Sequence, residues 1–254
     1  DREKQEQARK ALDMLDSCDG HLYKNSTDCS VVGALYTTSN RNIFLDELGP
    51  RDSSSWEALL QNWSMCYSPQ ADHLTVRGNK SPFWDDANTP REEDKAEILA
   101  DSLADATALL EEKFGTSDRS KWQWGDLHTY HFQTRASQMS EQMGWFKRSM
   151  ISLFSGYFDR GPYPAGGDHT TLNAAMYKLE DDFDVWMIPV SRLIVDFSRE
   201  IPLAGVNSSG QSGNPSSPHY ADGTKAWLKG NYTRFPFEMS RIKDKYTNKL
   251  VLVP

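Results

Sequence analysis

The chain has 254 residues, of which 38% are apolar, and a formal net charge of −8. Its length admits one large domain or two small ones, and its modest apolar share suits a polypeptide that buries a face against partner chains. The acidic balance excludes nucleic acid and anionic membrane as favoured partners, and no apolar run approaches the roughly 20 residues that insert across a bilayer.

Ala8, Ala11, Leu12 and Leu15 recur at helical spacing and predict a first helix over residues 5–15. The start, Asp1-Arg2-Glu3-Lys4-Gln5, is too charged for a signal peptide and lacks a capping signal, so it reads as cut from something longer. Cys18 and Cys29 enclose a short polar loop suited to a disulfide in an oxidising compartment; two unrelated buried thiols are the alternative. Cys66 is left odd, and without any C-x-x-C a zinc ribbon has no support. Residues 31–48 predict a second amphipathic helix ending at Gly49-Pro50, residues 56–63 a short helix, and residues 68–90 a loop-rich stretch.

Residues 91–114 give the clearest helix signal. Pro90 precedes it, Glu92, Glu93 and Asp94 suit its N-terminal dipole, and Gly115 follows it. Its buried stripe reads Ile98, Leu99, Leu103, Ala106, Leu109 and Leu110. Residues 122–132 read as strand or short helix, and 152–173 as loop. Residues 174–179 and 184–189 then lead into Ser191-Arg192-Leu193-Ile194-Val195-Asp196-Phe197, the best strand signal. Residues 202–218, rich in Gly, Ser and Pro, predict extended loop. Helices first, then strands with long loops, make an α+β pattern rather than a doubly wound alternation.

Several residues invite chemistry. His128 and His131 at helical i, i+3 spacing would share one face, with His169 or His219 as a third metal ligand, but the H-E-x-x-H pattern is absent and no metal is expected through them. Asp168, between Gly167 and His169, suits a turn whose backbone amides it binds. Arg192 and Asp196 fall on one face of the expected strand and read as a buried ion pair. The eight tryptophans are scattered, which favours core or interchain contacts over a sugar platform. Gly210, Gly213, Pro215 and Pro218 make a rigid loop that delivers His219 and Tyr220, and His219 reads as a hydrogen-bonding residue holding buried loops together. Ser212, in Gly210-Gln211-Ser212-Gly213, lacks the nucleophile-elbow pattern. N-x-S/T sequons stand at Asn25, Asn62, Asn207 and Asn231.

Taken in order, five segments resemble the penicillin acylase family. They are Asp19-Gly20 with Ala34-Leu35-Tyr36 to Gly49; Trp122-Gln123-Trp124-Gly125-Asp126-Leu127-His128; Gly166-Gly167-Asp168-His169-Thr170-Thr171-Leu172-Asn173-Ala174; Ser191 to Asp196; and Gly210 to Asp222 followed by Arg234-Phe235-Pro236-Phe237. The resemblance implies a four-layer αββα N-terminal-nucleophile hydrolase. Residues 1–254 would be the C-terminal segment of its large (β) chain, with 1–120 mainly helical and 121–254 strand- and loop-rich, packing into a shared core. It also implies hydrolysis of linear amides of N-acyl compounds: β-lactam side chains, acyl-homoserine lactones or acylated peptides. The nucleophile would be an N-terminal serine on a partner chain, whose own amine serves as base. This chain would then contain no catalytic residue, while His128, Asp168 and His219 are candidates to support the site from behind. No cofactor is required; calcium is known in the family, but no ligands for it can be placed in this chain. The implied partners are the small chain and nucleophile-bearing segment of the same processed precursor, and the implied location is periplasmic or extracellular. Three departures keep a catalytically silent scaffold as the alternative: Cys18 for a usual tryptophan, Gly223 for a usual glutamine, and Pro189-Val190-Ser191 for a usual Gly-Pro-Ser.

Overall fold

The computed structural model describes residues 2–48, 81–86, 88–178, 183–243 and 250–251. The helix expected over 56–63, most of the loop from 68, and residues Cys66, Asn62, Trp56 and Trp63 lie outside the described residues. The described residues form a mixed α+β chain in two compact units, divided after Ile188.

In the first unit, α1 (Arg2–Ser17) and α2 (Ser30–Leu48) both pack against α3 (Lys95–Phe114). The inner face of α1 is Ala11 and Met14, whereas Leu12 is 51% exposed, so the apolar stripe runs through Met14 rather than Leu12. Helix α3 begins at Lys95, not Arg91, because Asp94 caps it. The Asp94 carboxylate accepts from the Ala96 and Glu97 amides, and Glu97 accepts from the Asp94 amide in return. Gly115, at φ 63°, ends the helix in the left-handed conformation that glycine adopts without strain.

Ile98, Ala106 and Leu110 of α3 are buried as expected, but Ser102 and Thr107 are buried with them. These small polar residues let the helices approach closely. Thr38 Oγ1 of α2 donates to the Ser102 carbonyl at 2.8 Å, and Thr107 Oγ1 donates to the Gln7 carbonyl of α1 at 3.1 Å. Because these hydroxyls are satisfied, the packing avoids the desolvation cost of an orphaned donor, about 1–3 kcal/mol each.

Both readings of residues 122–132 occur in succession, as the short helix α4 (Trp124–Leu127) and strand β1 (Thr129–Phe132). Next come α5 (Arg135–Gln138), α6 (Trp145–Phe158) and β2 (Arg160–Pro164). Helix α6 and strand β2 occupy much of the stretch expected as loop. Strands β3 (Met176–Tyr177) and β4 (Val185–Met187) complete a sheet of order β2-β1-β4-β3, in which β1 and β4 run parallel.

The second unit is an antiparallel sheet of β5 (Ser191–Val195), β6 (Leu203–Asn207) and β7 (Thr233–Arg234), in that order. Helix α7 (Asp222–Lys229) packs on β6, and α8 (Met239–Ile242) follows. Strand β6 lies where loop was expected. A Cβ on its Gly205 would meet Leu193 Cδ2 at 2.8 Å and Phe235 Cε2 at 2.9 Å, the ends of two exposed side chains that can turn aside. The expected Arg192–Asp196 pair does not form. Asp196 sits just past the strand end, where it bonds Ser198 and Arg199, while the Arg192 guanidinium lies 3.8 Å from the centre of the buried Trp227 ring.

Candidate functional site

Three motif segments, far apart in sequence, meet in the first unit. The Cys18–Cys29 disulfide closes the loop between α1 and α2, with Cα atoms 4.9 Å apart. The carbonyls of that loop receive the other two segments: Ser26 accepts from the Trp124 amide (2.9 Å), Lys24 from the Gly125 amide (2.7 Å) and Leu22 from the Gly167 amide (2.7 Å). Contact this close needs glycine. A Cβ on Gly125 would stand 2.7 Å from the Lys24 carbonyl oxygen, and one on Gly166 would stand 2.9 Å from that of Leu22. The indole of Trp124 donates to the Gly167 carbonyl (3.0 Å), and Asn173 donates to the Gly166 carbonyl (2.8 Å) and the Tyr130 hydroxyl (2.9 Å).

At the centre of this junction lies a closed aromatic and polar cluster. His128 follows α4 and is fully buried, its ring stacked on Trp124 and edge-on to Tyr177. Its Nδ1 is 2.6 Å from the Phe183 carbonyl and must carry the proton, which leaves Nε2 as a bare acceptor with no partner among the described residues. Burial pushes the imidazole pKa down to about 4, so the ring is neutral near pH 7. His169 repeats the arrangement. Its Nε2 donates to the Tyr177 carbonyl (2.7 Å), its buried Nδ1 has no partner among the described residues, and burial again lowers its pKa. Tyr177 joins the two, donating its hydroxyl to the Gly33 carbonyl of α2 at 2.9 Å; burial raises its pKa and keeps it protonated.

Asp168 is buried beside them and serves its own turn. One carboxylate oxygen accepts from the Thr170 amide (2.8 Å), the Thr171 amide (3.1 Å) and the Thr170 hydroxyl (2.9 Å). An enclosed imidazole with so low a pKa is poorly matched to proton transfer at neutral pH. What these residues do is fix three backbone segments relative to one another.

The H-x-x-H pair is split by the change from helix to strand. His131 lies in β1, where its Nε2 meets Thr129 Oγ1 (2.8 Å) and Asp184 Oδ1 (3.1 Å), so the two rings do not share a helical face. Among the described residues, the group of His, Cys, Asp and Glu side chains close enough to hold an ion is Cys18, Asp19 and Cys29. Its two sulfurs are joined in the disulfide, and one carboxylate does not supply the oxygen-rich shell of calcium.

In the second unit the tail motif folds back on itself. The Gly210 amide donates to the Tyr220 carbonyl (3.1 Å), the Ser212 amide to the His219 carbonyl (3.0 Å), and the Thr224 hydroxyl to the Ser208 carbonyl (2.7 Å). A Cβ on Gly210 would collide with the His219 carbonyl, and one on Gly223 with the Ser209 carbonyl. Packing therefore accounts for glycine at 223, where the family usually has glutamine. His219 is not in a buried loop. Its side chain is 70% exposed and its Nδ1 lies 2.8 Å from Asp222 Oδ2, a bond that holds the Asp222 carboxyl below its ordinary range.

Tyr177 and Gly33 belong to the cluster, yet no sequence motif marks them. They meet across 144 positions, a pairing that no local pattern encodes.

The penicillin amidase family profile matches residues 2–244. Among curated relatives, "Acyl-homoserine lactone acylase QuiP" of Pseudomonas aeruginosa is 53% identical over 97% of this chain and 29% of its own length. The proteins of that name from Pseudomonas syringae pv. syringae and Pseudomonas putida are 43% and 40% identical, over 97% and 98% of this chain and 28% and 29% of their own lengths. The chain thus spans less than a third of each of these relatives.

Proposed function

The chain belongs to the penicillin amidase family, and from that premise we propose that it is a supporting, non-nucleophile-bearing part of an N-acyl-homoserine lactone acylase. The observation that carries this reading is the 53% identity to an acyl-homoserine lactone acylase over 97% of the chain. That relative's name favours N-acyl-homoserine lactones over β-lactam side chains and acylated peptides. Since the match covers 29% of that protein, the nucleophile and most of the substrate pocket are assigned to the remaining polypeptide.

In the proposed reaction, a serine hydroxyl at the N-terminus of a partner segment attacks the acyl carbonyl, and the serine's own amine takes up the proton. That proton passes to the leaving nitrogen as the C–N bond breaks, which frees the amine and leaves an acyl ester. Water then hydrolyses the ester to a carboxylic acid and restores the serine. The chain's part is to hold the scaffold. His128 and Asp168 fix the junction of three backbone segments, and His219 with Asp222 braces the tail loop. No cofactor enters the scheme.

Residues 1–254 are assigned to the C-terminal segment of the large chain of a four-layer αββα enzyme. Strand β5 supports this. It is an edge strand of its sheet, yet Leu193 (67% exposed), Ile194 (47%) and Val195 (56%) are successive apolar residues pointing to alternate faces, as in a strand covered on both sides. The disulfide favours a periplasmic or extracellular location, and no described helix is long and apolar enough to cross a membrane.

Intact mass and N-terminal sequencing of every polypeptide that copurifies with this chain test the reading. The expected result is a companion beginning with serine. A companion with an unprocessed or substituted N-terminus would instead make the assembly a catalytically silent scaffold.

A further inference from the structure

Strands β1 and β2 pair at Phe132 and Arg160, and the Thr134 amide donates to Asp159 Oδ1 at 2.8 Å. The residues between, 133–159, therefore leave the sheet and return to it at one closed neck. They form an arm made of α5, a 3₁₀ turn at Ser140–Gln142, and the fourteen-residue helix α6. No residue of α6 is buried.

The residues of α6 are sorted by face. Phe146, Met150, Leu153 and Tyr157 follow i, i+4, i+7 and i+11 spacing, with Phe154 beside them, and make one apolar stripe. Arg148, Ser152 and Ser155 share the opposite side. Phe146 is 63% exposed and Leu153 73%, and Trp145, at the first turn, is 80% exposed. With about 150–250 Å² per aromatic side chain, the stripe leaves on the order of 500 Å² of apolar surface in solvent, near the upper limit for a monomer's largest patch. The spacing is that of a helix whose anchors seat in a groove of another polypeptide.

We propose that α6 is a docking arm whose apolar stripe is covered by the upstream part of the acylase, the polypeptide outside residues 1–254. This rests on the function proposed above. The curated relatives have room for that occupant: more than two thirds of their length has no counterpart in this chain. A lipid surface fits poorly, because the only cations of α6 are Lys147 and Arg148, and the chain as a whole carries −8.

The test places the photo-crosslinker p-benzoylphenylalanine at position 150, on the stripe, and separately at position 152, on the polar side, in the assembled protein. Adducts are identified by peptide mass spectrometry. The expected adduct from position 150 joins a peptide outside residues 1–254, at a yield at least about tenfold above that from position 152. An adduct to a second copy of the chain, to lipid or to the chain's own peptides overturns the proposal, as does equal or absent labelling at the two positions. If no polypeptide beyond residues 1–254 copurifies, the proposed function falls with it. If one does and position 150 stays unlabelled, the docking arm alone falls.

Discussion

Replacing His128 with phenylalanine isolates what a buried neutral imidazole contributes. The ring keeps its place between Trp124 and Tyr177, but the Phe183 carbonyl loses the donor that now sits 2.6 Å away. An orphaned buried acceptor costs about 1–3 kcal/mol, so near pH 8 the variant is less stable by that amount. Acid reverses the comparison. The folded pKa, about 4, lies below the ordinary value of 6.5, so between those values the unfolded chain binds the proton and the folded chain does not. Stability from this group is present above pH 6.5 and is lost as pH falls toward 4. The loss reaches about 2 kcal/mol near pH 5 and on the order of 3 kcal/mol once both states are protonated. Phenylalanine does not titrate, so the gap between the two proteins should shrink by about 2 kcal/mol by pH 5. Urea denaturation of both proteins at a series of pH values reads this directly, because the difference cancels the other titrating groups they share. A gap that stays constant from pH 8 to pH 5 would refute the reasoning.

Restoring the family's usual residue with Gly223→Gln should destabilise the protein by about 1–3 kcal/mol, since any Cβ there meets the Ser209 and Asn207 carbonyls; thermal unfolding measures it, and an unchanged or raised Tm would contradict the packing argument. Asp168→Ala strips the acceptor from the Thr170 and Thr171 amides and should cost about 1–3 kcal/mol, with Asp168→Asn recovering part of the loss because one amide oxygen can still accept. Replacing both Cys18 and Cys29 with serine should cost about 2–3 kcal/mol for so short a loop. A reductant should lower the Tm of the natural protein, but not of the double variant, to a similar extent.

The parts of the fold legible in the sequence were those written locally. The three long helices follow from apolar period and terminal residues, and α3 starts four residues after Arg91 because the Asp94–Glu97 capping box, not Pro90, sets its first turn. Helix α6 is hidden because Ser152, Ser155 and Gly156 read as loop and mask the helical period of Phe146, Met150, Leu153 and Tyr157. Strand β6 is hidden because Ala204 and Gly205 carry little β signal, and its place is set by pairing with β5 and β7. The candidate site was legible in its motif segments and not in its geometry. Cys18 and Cys29 paired as their loop suggested, but the burial of His128, the exposure of His219 and the Tyr177–Gly33 bond depend on contacts between distant segments.

The central claim is that this chain serves an amide hydrolase whose nucleophile lies on another segment. The most direct test incubates the assembled protein, purified with every copurifying polypeptide, with an N-acyl-homoserine lactone and follows release of the free amine. The account predicts equimolar homoserine lactone and carboxylic acid, with activity lost when the partner's N-terminal serine is replaced and retained when Ser212 of this chain is changed to alanine. An intact, folded assembly that releases no amine, or one that loses turnover on Ser212→Ala, would contradict it.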